Sequence, residues 1–181
     1  MGSFGDAVAR LLATRLRYRL VERQVINQAA ARVGSPELAL AMVDELGLFG
    51  ICPSDNLCHQ YIDTIRTIVN DIADQDRAVI VGRGGQIILK GHPNTVHILV
   101  IAPLDLRVQR IAQEQNISTG AAQSQAIASD RHRTQYLKRF YDAEWLDPEL
   151  YDLVLNTAHL DRVDEITTWI SILMDQLFTS N

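Results

Sequence analysis

Residues 78–89 read AVIVGRGGQIIL. Ala78, Val79, Ile80 and Val81 are apolar without polar alternation, a pattern that predicts a strand buried on both faces, as in a parallel sheet. The run ends in Gly82-Arg83-Gly84-Gly85. A glycine turn at the carboxyl end of such a strand is where open α/β sheets bind ligands. An arginine fixed there can hold a phosphate or carboxylate through its planar fork of N–H donors. The same residues read equally well as a plain strand–helix turn carrying a solvated arginine.

Outward from this stretch the pattern alternates. Upstream, Asp6–Leu16 has helical spacing that leaves Arg10 and Arg15 outside, Tyr18–Val21 could be a short strand, and Glu22–Val33 is helical up to Gly34. Ser35-Pro36-Glu37 starts another helix, with serine as N-cap and proline at the first helical position. Phe49–Asn56 holds Gly50, Pro53 and Asn56 and reads as a loop, and Leu57–Asp74 as an amphipathic helix. Downstream, Val96–Ala102 predicts a second buried strand, Leu104–Gln115 a helix, and Ser118–Arg139 a polar, solvent-exposed helical lobe. Asp147-Pro148-Glu149 is a turn or cap, Tyr151–Leu155 a third buried strand and Asp161–Phe178 a closing helix. Strands alternating with helices predict a parallel α/β sheet with right-handed crossovers.

At 181 residues and 47% hydrophobic, the chain suits one well-cored domain with an extra lobe. A net charge of −5 argues against bulk nucleic-acid binding. Lys90 and Lys138 are the only lysines among 17 basic residues. Coding bias would produce that preference, but the arginines also cluster, at positions 15–23 and 131–139, as suits a phosphorylated small ligand. Cys52 and Cys58 follow no zinc pattern and imply no disulfide framework. No apolar stretch approaches the ~18 residues of a membrane span, and a cytoplasmic protein is expected.

Two further clusters carry chemistry. Gly2-Ser3-Phe4-Gly5 precedes a helix, where backbone N–H groups and the helix dipole can face a phosphate. A working phosphate loop would follow a strand and carry lysine where Asp6 stands, and alone the cluster reads as a frayed terminus. Asp130-Arg131-His132-Arg133, followed by Tyr136, Arg139 and Tyr141, places Asp130, Arg133 and Tyr136 on one helix face. In isolation that is an exposed charged helix. An arginine-bearing lid is nevertheless what phosphoryl transfer needs, since charge spreads over the transferred oxygens.

In order and spacing these pieces resemble the cytidylate kinase-like family of P-loop nucleoside monophosphate kinases over nearly the whole chain. Gly2–Ala9 looks like the tail of that family's phosphate loop, YRLVERQVI (18–26) its second strand with the pair Glu22-Arg23, and VIVGRGG its third strand with the Gly-Arg motif. Asp130–Arg133 matches the lid's D-R-x-R, and YDLVLNT (151–157) the final strand with its Asn-Thr ending. The resemblance implies a three-layer α/β/α domain over 1–181 with a parallel sheet, a helical substrate-side insertion at 34–75 and a lid-like helical segment at 118–142. It implies ATP and magnesium as cofactors. Gly2, Ser3, Gly5, Asp6 and Asn156 would sit at the donor nucleotide, Glu22, Arg23 and Arg83 at the acceptor, and Arg131 and Arg133 at the transferred phosphoryl group; no metal ligand is assigned.

The family's central first strand has no counterpart in the sequence, and Gly84 stands where true cytidylate kinases carry aspartate, which leaves the acceptor's base open. Without that strand its neighbours would expose unpaired edges, each buried orphan group costing roughly 1–3 kcal/mol. The chain then starts downstream of the natural N-terminus, the flanking strands pair directly, or another chain fills the gap, which makes a homodimer an expectation to test. The leading expectation is phosphoryl transfer from ATP to a nucleoside monophosphate, with pyrimidines as candidates. The alternatives are a catalytically inactive pseudo-kinase that binds a nucleotide or a protein partner, and a phosphate-ester-binding or structural module.

Overall fold

The computed structural model describes residues 1–22, 55–75 and 77–178. In chain order they form α1 (Gly5–Leu16), β1 (Arg19–Val21), α2 (Asp55–Asp74), β2 (Ala78–Ile80), α3 (Gly85–Ile88), β3 (Ile98–Ile101), α4 (Leu104–Gln115), α5 (Thr119–Tyr141), a 3₁₀ turn (Pro148–Leu150), β4 (Leu153–Asn156) and α6 (Val163–Phe178). Beyond Glu22, the helix expected up to residue 33 lies outside the described residues, as do Arg23, the helix expected from Ser35 and residues 49–54 of the expected loop.

The chain divides into two compact units. One comprises Met1–Tyr18, Pro93–Arg131 and Leu146–Asn181. Its ladder is parallel, pairing Ile98 with Leu153 and Ile101 with Asn156. Helix α1 buries Val8, Leu12 and Ala13 and packs along α6, which buries Ile166, Thr167, Ile170 and Ser171. Arg15 fastens the pair, donating to Thr168 Oγ1 and Asp164 Oδ1 at 2.6 Å each. Val108 and Ile111 of α4 form a second cluster with Ala122 and Ala126 of α5. Helix α4 ends at Asn116 in the left-handed region, and Ser118 caps the start of α5 by accepting from the Ala121 N–H.

The other unit comprises Arg19–His92 and His132–Trp145. Its parallel ladder aligns Arg19 with Ala78 and Val21 with Ile80, and the Val81 N–H extends it by donating to the Val21 carbonyl at 2.9 Å. Tyr61, Ile62, Ile65 and Val69 form the helical-period stripe of α2 and pack with Val21, Leu89, Tyr136 and Leu137. Each such fully buried aliphatic side chain stabilises the fold by about 1.5–3 kcal/mol.

Several expectations change. Helix α5 is not an exposed lobe. Ala122, Ala126, Tyr136 and Leu137 are buried, because a long polar helix can dock through small residues and a few aromatic contacts that weaken any periodicity signal. Strand β4 is only half covered, with Val154 40% exposed, and none of the residues of β2 or β3 is fully buried. Asn56 belongs to helix α2 rather than to a loop.

Candidate functional site

Strand β2 delivers its chain into three successive left-handed residues: Gly82 at φ +82°, Arg83 at +56° and Gly84 at +72°. For a non-glycine residue that conformation costs about 1–2 kcal/mol, so the surroundings must hold Arg83 in place. The turn closes into α3 through the Gly85 N–H donating to the Gly82 carbonyl at 3.1 Å. Glu22 follows β1 at the same carboxyl edge of the ladder, where Val21 accepts from Val81.

Arg83 is not solvated. It is 3% exposed, and its Nε and Nη1 have no hydrogen-bond partner. Aromatic rings surround it. Its guanidinium lies 5.7 Å from the Tyr136 ring centroid, Tyr141 approaches its main-chain carbonyl through a hydroxyl at 3.5 Å, and Tyr61 is electrostatically coupled to it. Arg66 stands over the Tyr141 ring at 5.3 Å. Burial pushes the Tyr61 phenol up to about 12, with Arg83 acting against it, and raises Tyr136 and Tyr141 for the same reason. All three therefore stay neutral, proton-bearing groups at physiological pH.

In the other unit, α4 grips the amino-terminal loop. Arg110 stacks on Phe4 with its guanidinium 3.8 Å from the ring centroid, and donates to the Thr157 hydroxyl and carbonyl at 2.9 Å each and to the Gly2 carbonyl at 3.3 Å. Burial pulls the Arg110 guanidinium below its ordinary range. Gly2, at φ +75°, admits no side chain, because a Cβ would stand 2.7 Å from the Arg107 carbonyl. Thr157, fully buried, lies 3.2 Å from the carbonyls of Ser3 and Ile101 and ties the end of β4 to the loop. Its neighbour Asn156 turns its Oδ1 onto the Ala158 N–H at 3.0 Å. Gly2, Ser3, Gly5, Asp6 and Asn156 thus gather in this unit. Helix α1 opens behind Phe4 with no side-chain cap, leaving the first-turn amides of Gly5, Asp6 and Ala7 outside the intrahelical ladder.

Helix α5 distributes its charged run. Asp130 receives both terminal nitrogens of Arg107 at 3.0 and 2.6 Å, Arg131 is exposed, and Arg133 stacks on Trp145 at 4.7 Å. Asp130, Arg133 and Tyr136 therefore serve different partners despite their shared helix face. Arg131 falls in the first unit, and Arg133 in the second with Arg83 and Glu22.

The profile of the cytidylate kinase-like family matches residues 1–159. The chain belongs to the cytidylate kinase-like family. Among curated relatives, the cytidylate kinase of Sulfolobus acidocaldarius is 30% identical over 161 residues, 88% of this chain and 82% of that protein. A cytidylate kinase of Saccharolobus islandicus is 26% identical over 176 residues, 95% of this chain and 87% of that one. A uronate isomerase of Corynebacterium glutamicum is 36% identical over 97 residues, but the chain spans only 19% of that protein's length. The crystal structure of an uncharacterized protein from Eubacterium ventriosum superposes with a TM-score of 0.74 at 19% identity, covering 96% of this chain and 92% of that one, a likeness of fold.

Within this cytidylate kinase-like chain, the sequence alone does not single out Arg107, Arg110 or Tyr61. Arg107 and Arg110 stand three apart on α4, the spacing that puts both on one helix face, and that spacing was the available signal. Nothing local distinguishes Tyr61 from its apolar neighbours on α2.

Proposed function

We propose that this cytidylate kinase-like protein transfers the terminal phosphoryl group of ATP to a nucleoside monophosphate. An oxygen of the acceptor phosphate attacks the γ-phosphorus, the bond to the β-phosphate bridging oxygen breaks, and ADP and a nucleoside diphosphate result. The observation that carries this reading is Arg83, a buried cation at the carboxyl edge of a parallel ladder with two nitrogens unpartnered. A buried charge left alone is expensive, and an acceptor phosphate offsets that cost.

In this reading Arg83, with Glu22 and Arg23, holds the acceptor. The first-turn amides behind Gly2-Ser3-Phe4-Gly5, with that of Asp6, suit the donor phosphates, since they carry partial positive charge and no competing cap. Asn156 lies near the donor base. Among the described residues no group of three or more His, Cys, Asp or Glu side chains could hold a metal. Magnesium, which would neutralise phosphate charge, fits best as an ion carried by the nucleotide phosphates, with at most one or two protein carboxylates. Arg131 and Arg133 supply positive charge to the transferred phosphoryl oxygens, and Arg133 must leave Trp145 to do so.

Incubating the full-length protein with ATP, magnesium and a panel of nucleoside monophosphates should release ADP with at least one acceptor. Arg133→Ala should lower kcat by about 10²–10³, and Arg83→Ala should raise the acceptor KM. Absence of turnover with every acceptor tested would defeat the proposal.

A further inference from the structure

Among the described residues, three buried polar atoms of one cluster make no hydrogen bond of ordinary length: Nε and Nη1 of Arg83 and the hydroxyl of Tyr136, which interacts only with the phenol of Tyr141. Both residues are 3% exposed. Three orphans together are not packing noise, because each forgoes hydration without a replacement. The orphans are all donors or can donate. Among the described residues, the charged side chains that act on Tyr61, Tyr136 and Tyr141 are the cations Arg83 and, at Tyr141, Arg66. A cationic, donor-rich cluster selects an anion.

We infer that Tyr136 is a second ligand of the anion held by Arg83, its hydroxyl donating to one oxygen of a phosphomonoester while Arg83 donates to the others. The inference rests on the reading of Arg83 as the acceptor-phosphate contact. It adds a residue that α5 contributes about one turn beyond its arginine run. A phosphomonoester suits the donor set better than a carboxylate, since it offers three terminal oxygens to three orphan donors. The phenol keeps its proton, because burial pushes its titration well above the ordinary range. The Tyr136 ring is already fixed, edge-on to Phe140 and Tyr141 at centroid distances of 5.4 and 5.9 Å. Fixed rings lose little freedom on binding.

A ligand role and a structural role move two measurements differently. The Tyr136 hydroxyl is desolvated with only a loose interaction with the Tyr141 phenol, so Tyr136→Phe should leave the melting temperature without ligand unchanged or raised. A hydroxyl with a structural partner would lower it. Binding is then titrated calorimetrically with inorganic phosphate, cytidine monophosphate and cytidine, using the wild type, Tyr136→Phe and Arg83→Met. Both phosphate-bearing probes should bind the wild type and cytidine should not, and Tyr136→Phe should weaken them about tenfold to a hundredfold, the effect of a hydrogen bond to a charged group. Binding of cytidine monophosphate alone assigns the site to the nucleotide; binding of inorganic phosphate as well assigns it to the shared phosphate, and either supports the inference. If Arg83→Met loses phosphate while Tyr136→Phe keeps it, the inference falls and the Arg83 reading stands. If both variants bind like the wild type, the Arg83 reading falls and takes the inference with it.

Discussion

Gly84 shows how little room the turn leaves. A Cβ there would meet the Tyr141 ring at 2.9 and 3.1 Å and its hydroxyl at 3.3 Å, and φ of +72° already disfavours any side chain. Gly84→Ala should therefore displace Tyr141 and destabilise the protein by about 1–3 kcal/mol, read as a fall in denaturation midpoint. An unaltered midpoint would mean that Tyr141 swings aside at no cost. From sequence alone, Gly84 was a substitution for an expected acid. The structure gives it a second meaning, since the space of a side chain at 84 is filled by a phenol 57 positions further along. Such long-range complementarity has no local signature.

At the scale of elements, periodicity predicts most of what the structure describes. Helix α4 runs over Leu104–Gln115 as its amphipathic pattern implies, and β2 and β3 lie within the two apolar runs. Helix α5 was legible in extent but not in burial, because its contacts with the core come through Ala122, Ala126, Tyr136 and Leu137, too sparse for a hydrophobic face. The same helix hides a tertiary ion pair. Asp130 receives Arg107 in a two-pronged contact, with side chains 27% and 11% exposed. Read along α5, Asp130 belongs to a charged run; only the fold reveals its partner on α4. Asp130→Asn should cost about 1–3 kcal/mol, since it strands a largely buried guanidinium. Replacing both partners together, as Arg107→Met with Asp130→Leu, should cost less than the sum of the two single changes. Additive effects in that double-mutant cycle would show that the pair does not act as a unit.

For the molecule as a whole, the phenol cluster sets a limit at alkaline pH. Tyr61 releases its proton at about 12 in the folded protein against an ordinary 10.0, and Tyr136 and Tyr141 are raised as well. The unfolded chain gives up these protons first, so stability is full below pH ~10 and falls as pH climbs through ~12. For Tyr61 alone the displacement corresponds to about 3 kcal/mol. Denaturant midpoints should drop over that window, and Tyr61→Phe should flatten the decline. A midpoint independent of pH there would contradict the burial of these rings. Among the described residues no helix is long and apolar enough to cross a membrane.

The two unpartnered nitrogens of Arg83 have a consequence beyond recognition. A ligand that binds only the folded state stabilises it by RT ln(1 + [L]/Kd), and here it also relieves a standing internal cost. On the proposed reading of Arg83, a bound phosphate ester would also lengthen the lifetime of the chain before a protease, in proportion to ligand supply. A limited-proteolysis time course with and without phosphate ester would then read occupancy of this one side chain as survival.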